Sequence, residues 1–331
     1  MAARKVSPAA PPVLEDRLVS SLIALMERGT APWRREWDGQ RGGQHVNLFS
    51  GRSYRGANPI LLTFGLHQRG ASLPYWCGAV EAKRHGLLPR RGSKAVMVLR
   101  PQVWRRSSTV LDPGSVATGA SEQEGHRAED RDERVWVRYQ PLAVFNVEDL
   151  EGEALQGLIA ARQEADQSSR RPEPERLAHA ETVLQAWPVP MHHGGSRACY
   201  NAHDDCIHLP ERRAFHSAEA LYATWAHEAI HSTGHPTRLA RSLSGAMGTE
   251  DYAREELLAE LGAVLLGERL EIGSDVSNHA AYLAEWIKLL RQSPSLLYKL
   301  LSEARQAADL ISPPQPVQEP GQGPSPTAAK G

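Results

Sequence analysis

Twelve residues, Thr224 to His235, read TWAHEAIHSTGH and constrain this chain more than any other stretch. The HEAIH within them calls for an α-helix. There, positions i and i+4 lie on one face a single turn apart, so His227 and His231 aim both imidazoles at one ion. Glu228, beside the first, is placed to reach a water on that ion and take its proton. Ser217 stands where a helix N-cap belongs, and Gly234 where a left-handed C′ residue would close a helix ending near Thr233. Upstream, ACYNAHDDCIHLP alternates around an Asp-Asp pair and reads as a hairpin. A strand beside a metal helix is the arrangement in which a zinc peptidase receives its substrate as an added strand.

Two histidines leave such an ion short, because a catalytic zinc keeps three protein ligands and one open position. His235 continues the four-residue spacing but lies between Gly234 and Pro236, past the helix end, and the extended motif HExxHxxGxxH would need a histidine where this chain has Thr237. The stretch YAREELLAELGAVLL offers carboxylates instead. Leu257, Leu258, Leu261, Val264 and Leu265 form its apolar stripe, and Glu256 and Glu260 share a face one turn apart. Glu256 is therefore assigned as the third ligand and Glu260 as the acceptor that orients a ligand histidine, while Glu255 points about 100° away.

Charge separates the chain into two halves. From Arg28 to Arg106 there are fifteen Lys/Arg against three acids, whereas the whole chain carries −1. Such local excess is the footprint of a polyanion partner. Aromatic residues are interleaved with the cations: Trp33, Arg34, Arg35 and Trp37 in PWRREW, then Asn47, Arg52, Tyr54, Arg55 and Asn58 in NLFSGRSYRGAN, then Trp76, Arg91 and Lys94. That mixture suits single-stranded DNA, with bases stacking on rings and cations following phosphates.

Helical and strand periodicities give an α+β chain: a mixed α/β N-terminal half, then a mainly helical second half with a small β-hairpin or sheet. The expected divisions are a disordered start (1–12), a DNA-binding domain (13–162) with a disordered insertion at 107–133, a linker (163–176), a metal domain (177–311) and a disordered tail (312–331). The start has no apolar core or cleavage site and no run is long enough to span a membrane, so a cytoplasmic location is expected. Cys77, Cys199 and Cys206 show no CxxC spacing and read as reduced structural residues.

Several blocks in this order resemble the ArdC antirestriction proteins: PWRREW, NLFSGRSYRGAN, YWCGAVEAKRHGLLPRRGSKAV and VFNVEDLEG in the first half, then CYNAHDDCIHLP, YATWAHEAIHSTGHPTRLAR, YAREELLAELGAVLL and NHAAYLAEWIKLL in the second. The resemblance implies a single-stranded-DNA-binding domain joined to a zincin-like metallopeptidase domain, and protection of incoming mobile-element DNA from restriction. It supports His227 and His231 as ligands, Glu228 as catalytic and a third ligand from EELLAE; one Zn2+ or another divalent ion is expected there, and a protein or peptide substrate is an expectation that does not transfer with the motifs. A second reading keeps the DNA binding and makes the metal structural. A third, a fragment of a primase-associated protein, finds no polymerase motif here.

Overall fold

The computed structural model describes residues 14–29, 44–105, 135–169, 171–273 and 282–314. Trp33, Arg34, Arg35 and Trp37, the expected insertion at 107–133 and most of both expected tails lie outside the described residues.

The first helix, α1 (Leu14–Met26), buries Val19, Leu22, Ile23 and Met26, a spacing of three and four that makes one apolar stripe. A four-stranded sheet follows in the order β1 (Val46–Asn47), β2 (Tyr75–Cys77), β5 (Val135–Asn146), β4 (Val96–Arg105). The β1–β2 pair is parallel and the others antiparallel. Between β1 and β2 runs α2 (Asn58–Arg69), which has Pro59 in its first turn and ends at Gly70 with φ 63°. Proline is tolerated there because its missing N–H has no partner to lose. Short α3 (Ala79–Arg84) and the pair β3 (Leu88–Pro89) with β6 (Leu150–Glu151) close the first half.

The segment expected as a linker is largely helical. α4 (Leu155–Ser169) runs through most of it and α5 (Glu173–Ala186) starts at its end. PEPER looks like a break, but its prolines occupy the N-cap and first turn of α5, where proline starts a helix.

In the second half, β7 (Met191–His193), β9 (Cys206–Leu209) and β8 (Cys199–Asn201) form a sheet with β9 in the middle. The expected hairpin is the β8–β9 pair, and β7 adds a parallel strand not foreseen. Helices α6 (Ala218–Ser232), α7 (Glu250–Leu270), α8 (Leu283–Gln292) and α9 (Leu296–Ile311) pack into one core with Ile207 and Leu209. All three cysteines are free thiols.

Helix α2 is apolar on two sides. Leu62 and Leu66 pack with Trp76, Val96, Val98 and Val144 of the large sheet. Ile60, Leu61 and Phe64 join the core made by α6 to α9, which also takes in the stripe of α1. Among the described residues, no helix is long and apolar enough to cross a membrane.

Candidate metal centre

Helix α6 begins where its sequence says: the Ser217 side chain accepts the Ala220 N–H at 3.1 Å. Its end differs from expectation. Gly234 is absent from the residues with positive φ, so it does not close the helix in the left-handed conformation. A methyl group there would lie 2.8 Å from Leu243 and 3.1 Å from the His231 carbonyl oxygen, so close packing is what demands glycine.

Leu221, Trp225, Ala226, Ala229 and Ile230 face the core and hold α6 rigidly. His227 and His231 then project together, with their Nε2 atoms 3.2 Å apart. Helix α7, capped by the Thr249 side chain on the Tyr252 N–H, crosses α6 closely. Gly262 permits that approach, since a β-carbon on it would stand 2.8 Å from Ile230. The stripe Leu257, Leu258, Leu261, Val264 and Leu265 is buried in this crossing.

The crossing brings Glu256 to the two histidines. Its Oε2 is 3.7 Å from His227 Nε2 and its Oε1 3.7 Å from His231 Nε2. His227, His231 and Glu256 each offer one ligand atom, all within 4.8 Å of one another, and no other such group occurs among the described residues. Glu260, 1% exposed, places Oε2 3.9 Å from His227 Nδ1, and that ring nitrogen is buried without a hydrogen-bond partner. His235 turns elsewhere, its Nδ1 2.8 Å from Thr237 Oγ1.

Two residues of this site were not legible in the sequence. Glu255 Oε1 accepts from His231 Nδ1 at 3.2 Å, so each histidine has a carboxylate behind it. Arg241 fixes that carboxylate through bonds of 3.0 and 2.8 Å and also reaches Thr233 Oγ1 and the Ile230 carbonyl oxygen. Tyr252 hydrogen-bonds Glu256, and its hydroxyl lies 3.1 Å from that of Tyr282. Burial, the Tyr282 bond and the Glu256 charge push this phenol well up. Helical spacing could have found Tyr252, one turn before Glu256. Glu255 needed the partner helix and Arg241.

The electrostatics follow from packing three acids around two imidazoles. Burial pulls His231 down, but the Glu255 bond and the charges of Glu255, Glu256 and Glu228 outweigh it and hold the ring up to about 9. Burial raises Glu256, yet the His227 and His231 rings beside it bring it down to about 2. An ion taken by the two Nε2 atoms, 3.2 Å apart, would compete with the proton that the His231 ring retains. Metal binding must expel that proton. Affinity should therefore rise about tenfold per pH unit from pH 6 to 8 and level off near 9; competition titrations with a chelator measure this. The sign for stability is the opposite. A raised histidine stabilises below its unfolded value near 6.5 and loses that contribution as pH rises through about 9, so urea melts of metal-free protein should weaken over that window.

Replacing Glu255 by glutamine should lower metal affinity about 10- to 100-fold, the usual cost of losing a group that orients a ligand. The same titration measures it.

The proposed DNA-binding residues are divided by burial. Arg52, Arg55, Arg91 and Lys94 are exposed. Trp76 is not available for stacking: it is 0% exposed, and its Nε1 donates to His45 Nδ1 at 2.9 Å. Asn58 is spent on β4, with its amide bonding both the N–H and the carbonyl of Leu99. Asn47 shapes the turn after β1, accepting from the Phe49 and Ser50 N–H groups and donating to Glu81. Tyr54 is mostly buried, which first of all pushes its phenol up. These four residues build the domain and leave the cations on its surface.

Comparison with known proteins follows the same division. Residues 13–145 match the N-terminal domain of the anti-restriction factor ArdC, and residues 178–302 match a zincin-like metallopeptidase. A DNA primase TraC of Escherichia coli is 32% identical over 302 residues, covering 89% of this chain and 27% of the primase. A second TraC is matched over 19% of its length, so the chain spans about a quarter or less of these relatives. An uncharacterized protein y4eC of Sinorhizobium fredii is 29% identical over 92% of both chains. Among solved structures, the metal-free antirestriction ArdC protein of plasmid R388 superposes with a TM-score of 0.63 at 29% identity, covering 90% of this chain and 96% of that one. Its Mn(II)-bound form gives 0.61 at 28%, covering 91% and 97%.

Proposed function

The chain is an ArdC-like protein, and on that premise we propose that it binds single-stranded DNA of a mobile element, protects it from restriction, and carries a zinc-dependent peptidase site. The observation that carries the second half is the convergence of His227, His231 and Glu256 beside Glu228 on a buried helix. Two imidazoles and a carboxylate are the donor set of a catalytic zinc with one position left open. The residues fit an ion: two Nε2 atoms and a carboxylate share a space that, without a cation or a proton, would bring only acceptors together. The relative from R388 binds Mn(II), which supports a divalent ion here.

A zinc held by these three residues would polarise a peptide carbonyl and acidify its bound water. The protein's own residues do the rest. Glu255 holds a proton on His231 Nδ1 and so turns the Nε2 lone pair of that ring toward the ion, while Glu260 stands 3.9 Å from His227 Nδ1, on the same side of its ring. Tyr252 fixes the Glu256 carboxylate. Glu228 takes the proton of the attacking water and passes it to the leaving amine. Strand β8 is an edge of its sheet, where an extended peptide would add as a further strand. This edge strand packs against α6, the helix that carries Glu228.

Support for DNA binding comes from the charge excess and from the exposed cations Arg52, Arg55, Arg91 and Lys94. The working units are residues 13–162 for DNA and 177–311 for the metal, and the compartment is the cytoplasm. Alanine at all four cations should weaken oligonucleotide binding and flatten the log–log salt slope by about 3, given ~0.7 per phosphate contact on a single strand. Unchanged anisotropy titrations would remove DNA from this surface. The match to part of the TraC primases favours one alternative, an accessory DNA-binding protein; whether its metal would be structural is what Glu228→Gln decides.

A further inference from the structure

Trp76 is enclosed and Tyr54 mostly buried in the DNA-binding half, so among the described residues stacking on bases calls for another ring. Among its described residues one exposed aromatic stack exists. The rings of Phe49 and His85 lie parallel, 4.0 Å apart at 15°. Phe49 packs its inner side against Val46, Leu48, Tyr75 and their neighbours, while His85 is exposed. We propose that a nucleobase of single-stranded DNA stacks on the outer face of His85, with Phe49 as the fixed layer beneath.

The base of this stack is rigid. Arg162 donates from Nε to the Leu48 carbonyl oxygen at 3.1 Å and from its terminal nitrogen to that of Phe49 at 3.2 Å. The Asn47 side chain accepts the Phe49 N–H at 3.1 Å. The His85 N–H bonds the Ala82 carbonyl oxygen at 3.0 Å, which pins the end of α3. Little ordering is left to be lost when a base arrives.

The surroundings suit a strand of nucleotides. Lys83 and Arg84 are exposed just before His85, and Arg52 is exposed just past the Phe49 turn. Val80 and Leu88 stand 69% and 53% exposed on either side in sequence, apolar surface of the kind a sugar or a second base covers. Glu81 is engaged by the Asn47 amide at 2.8 Å, and Glu151, opposite Leu88 on β6, is the acid on the far side. Ring, cation and apolar surface at successive positions match what a single strand presents: base, phosphate and sugar.

This inference rests on the proposed binding of single-stranded DNA, and its test separates the two. Fluorescence anisotropy compares a thymidine 12-mer with an abasic strand of the same length, which keeps the phosphates and removes the bases. His85→Ala should weaken the thymidine complex about tenfold and the abasic complex less than twofold. His85→Trp should restore thymidine binding. Lys83→Ala with Arg84→Ala should weaken both complexes alike. Equal affinity of His85→Ala and the native chain for thymidine, or equal loss on both strands, overturns the stacking site while leaving DNA binding intact. If the native chain binds neither strand, the DNA-binding reading itself falls, and this site with it.

Discussion

Glu256→Ala should lower the affinity for zinc by roughly a thousandfold or more, while His235→Ala leaves it within twofold. A thousandfold is about 4 kcal/mol at roughly 1.4 kcal/mol per decade. The size follows from what remains. Without Glu256, the two Nε2 atoms still face each other across 3.2 Å, but the one carboxylate that groups with both as a ligand among the described residues is gone. An ion would then be held by two neutral donors, and the proton that His231 keeps up to about 9 competes for the same place. His235 has no such claim, being bound to Thr237 beyond the helix end. Zinc content after dialysis, and competition with a chelator, read both variants. Metal loss in His235→Ala with retention in Glu256→Ala would reverse the ligand assignment.

Glu228→Gln should keep the metal and keep DNA binding while abolishing any peptide hydrolysis, with a loss of about 10²- to 10⁴-fold. The substitution is nearly isosteric, and Glu228 is buried on α6 without belonging to the ligand set, so fold and metal are spared. It therefore separates two ways of protecting DNA. If protection falls with hydrolysis, the metal half acts by cutting a protein of the restriction apparatus. If protection survives with zinc still bound, the protein shields DNA by occupying it and the metal holds the fold. DNA protection, zinc content and oligonucleotide affinity must be measured on the same preparation.

What could be read from the sequence was local. The Ser217 cap, the α6 histidine pair and the buried stripe of α7 all depend on spacing within one helix, and they lie where that spacing puts them. Glu256 and Glu260 follow from the same periodicity. Contacts between elements were hidden. Glu255 points away from the Glu256 face, as helical geometry requires, yet it meets His231 on its other ring nitrogen because α7 crosses α6 at Gly262. Trp76 shows why composition misleads for single residues: a tryptophan among arginines looks like a stacking ring until His45, thirty-one positions away, takes its N–H. Pro172 and Pro174 look like a linker until α5 is seen to start there.

The two-sided burial of α2 has a consequence for how such proteins are inherited. Ile60, Leu61 and Phe64 complete the core of the metal half, while Leu62 and Leu66 complete that of the sheet. Recombination that joined this first half to a foreign second half would have to find a surface shaped for those three side chains. Otherwise it would leave them in water, at about 1.5–3 kcal/mol for each large side chain. The halves are thus poor candidates for exchange one at a time; the unit that can be passed on intact is the pair.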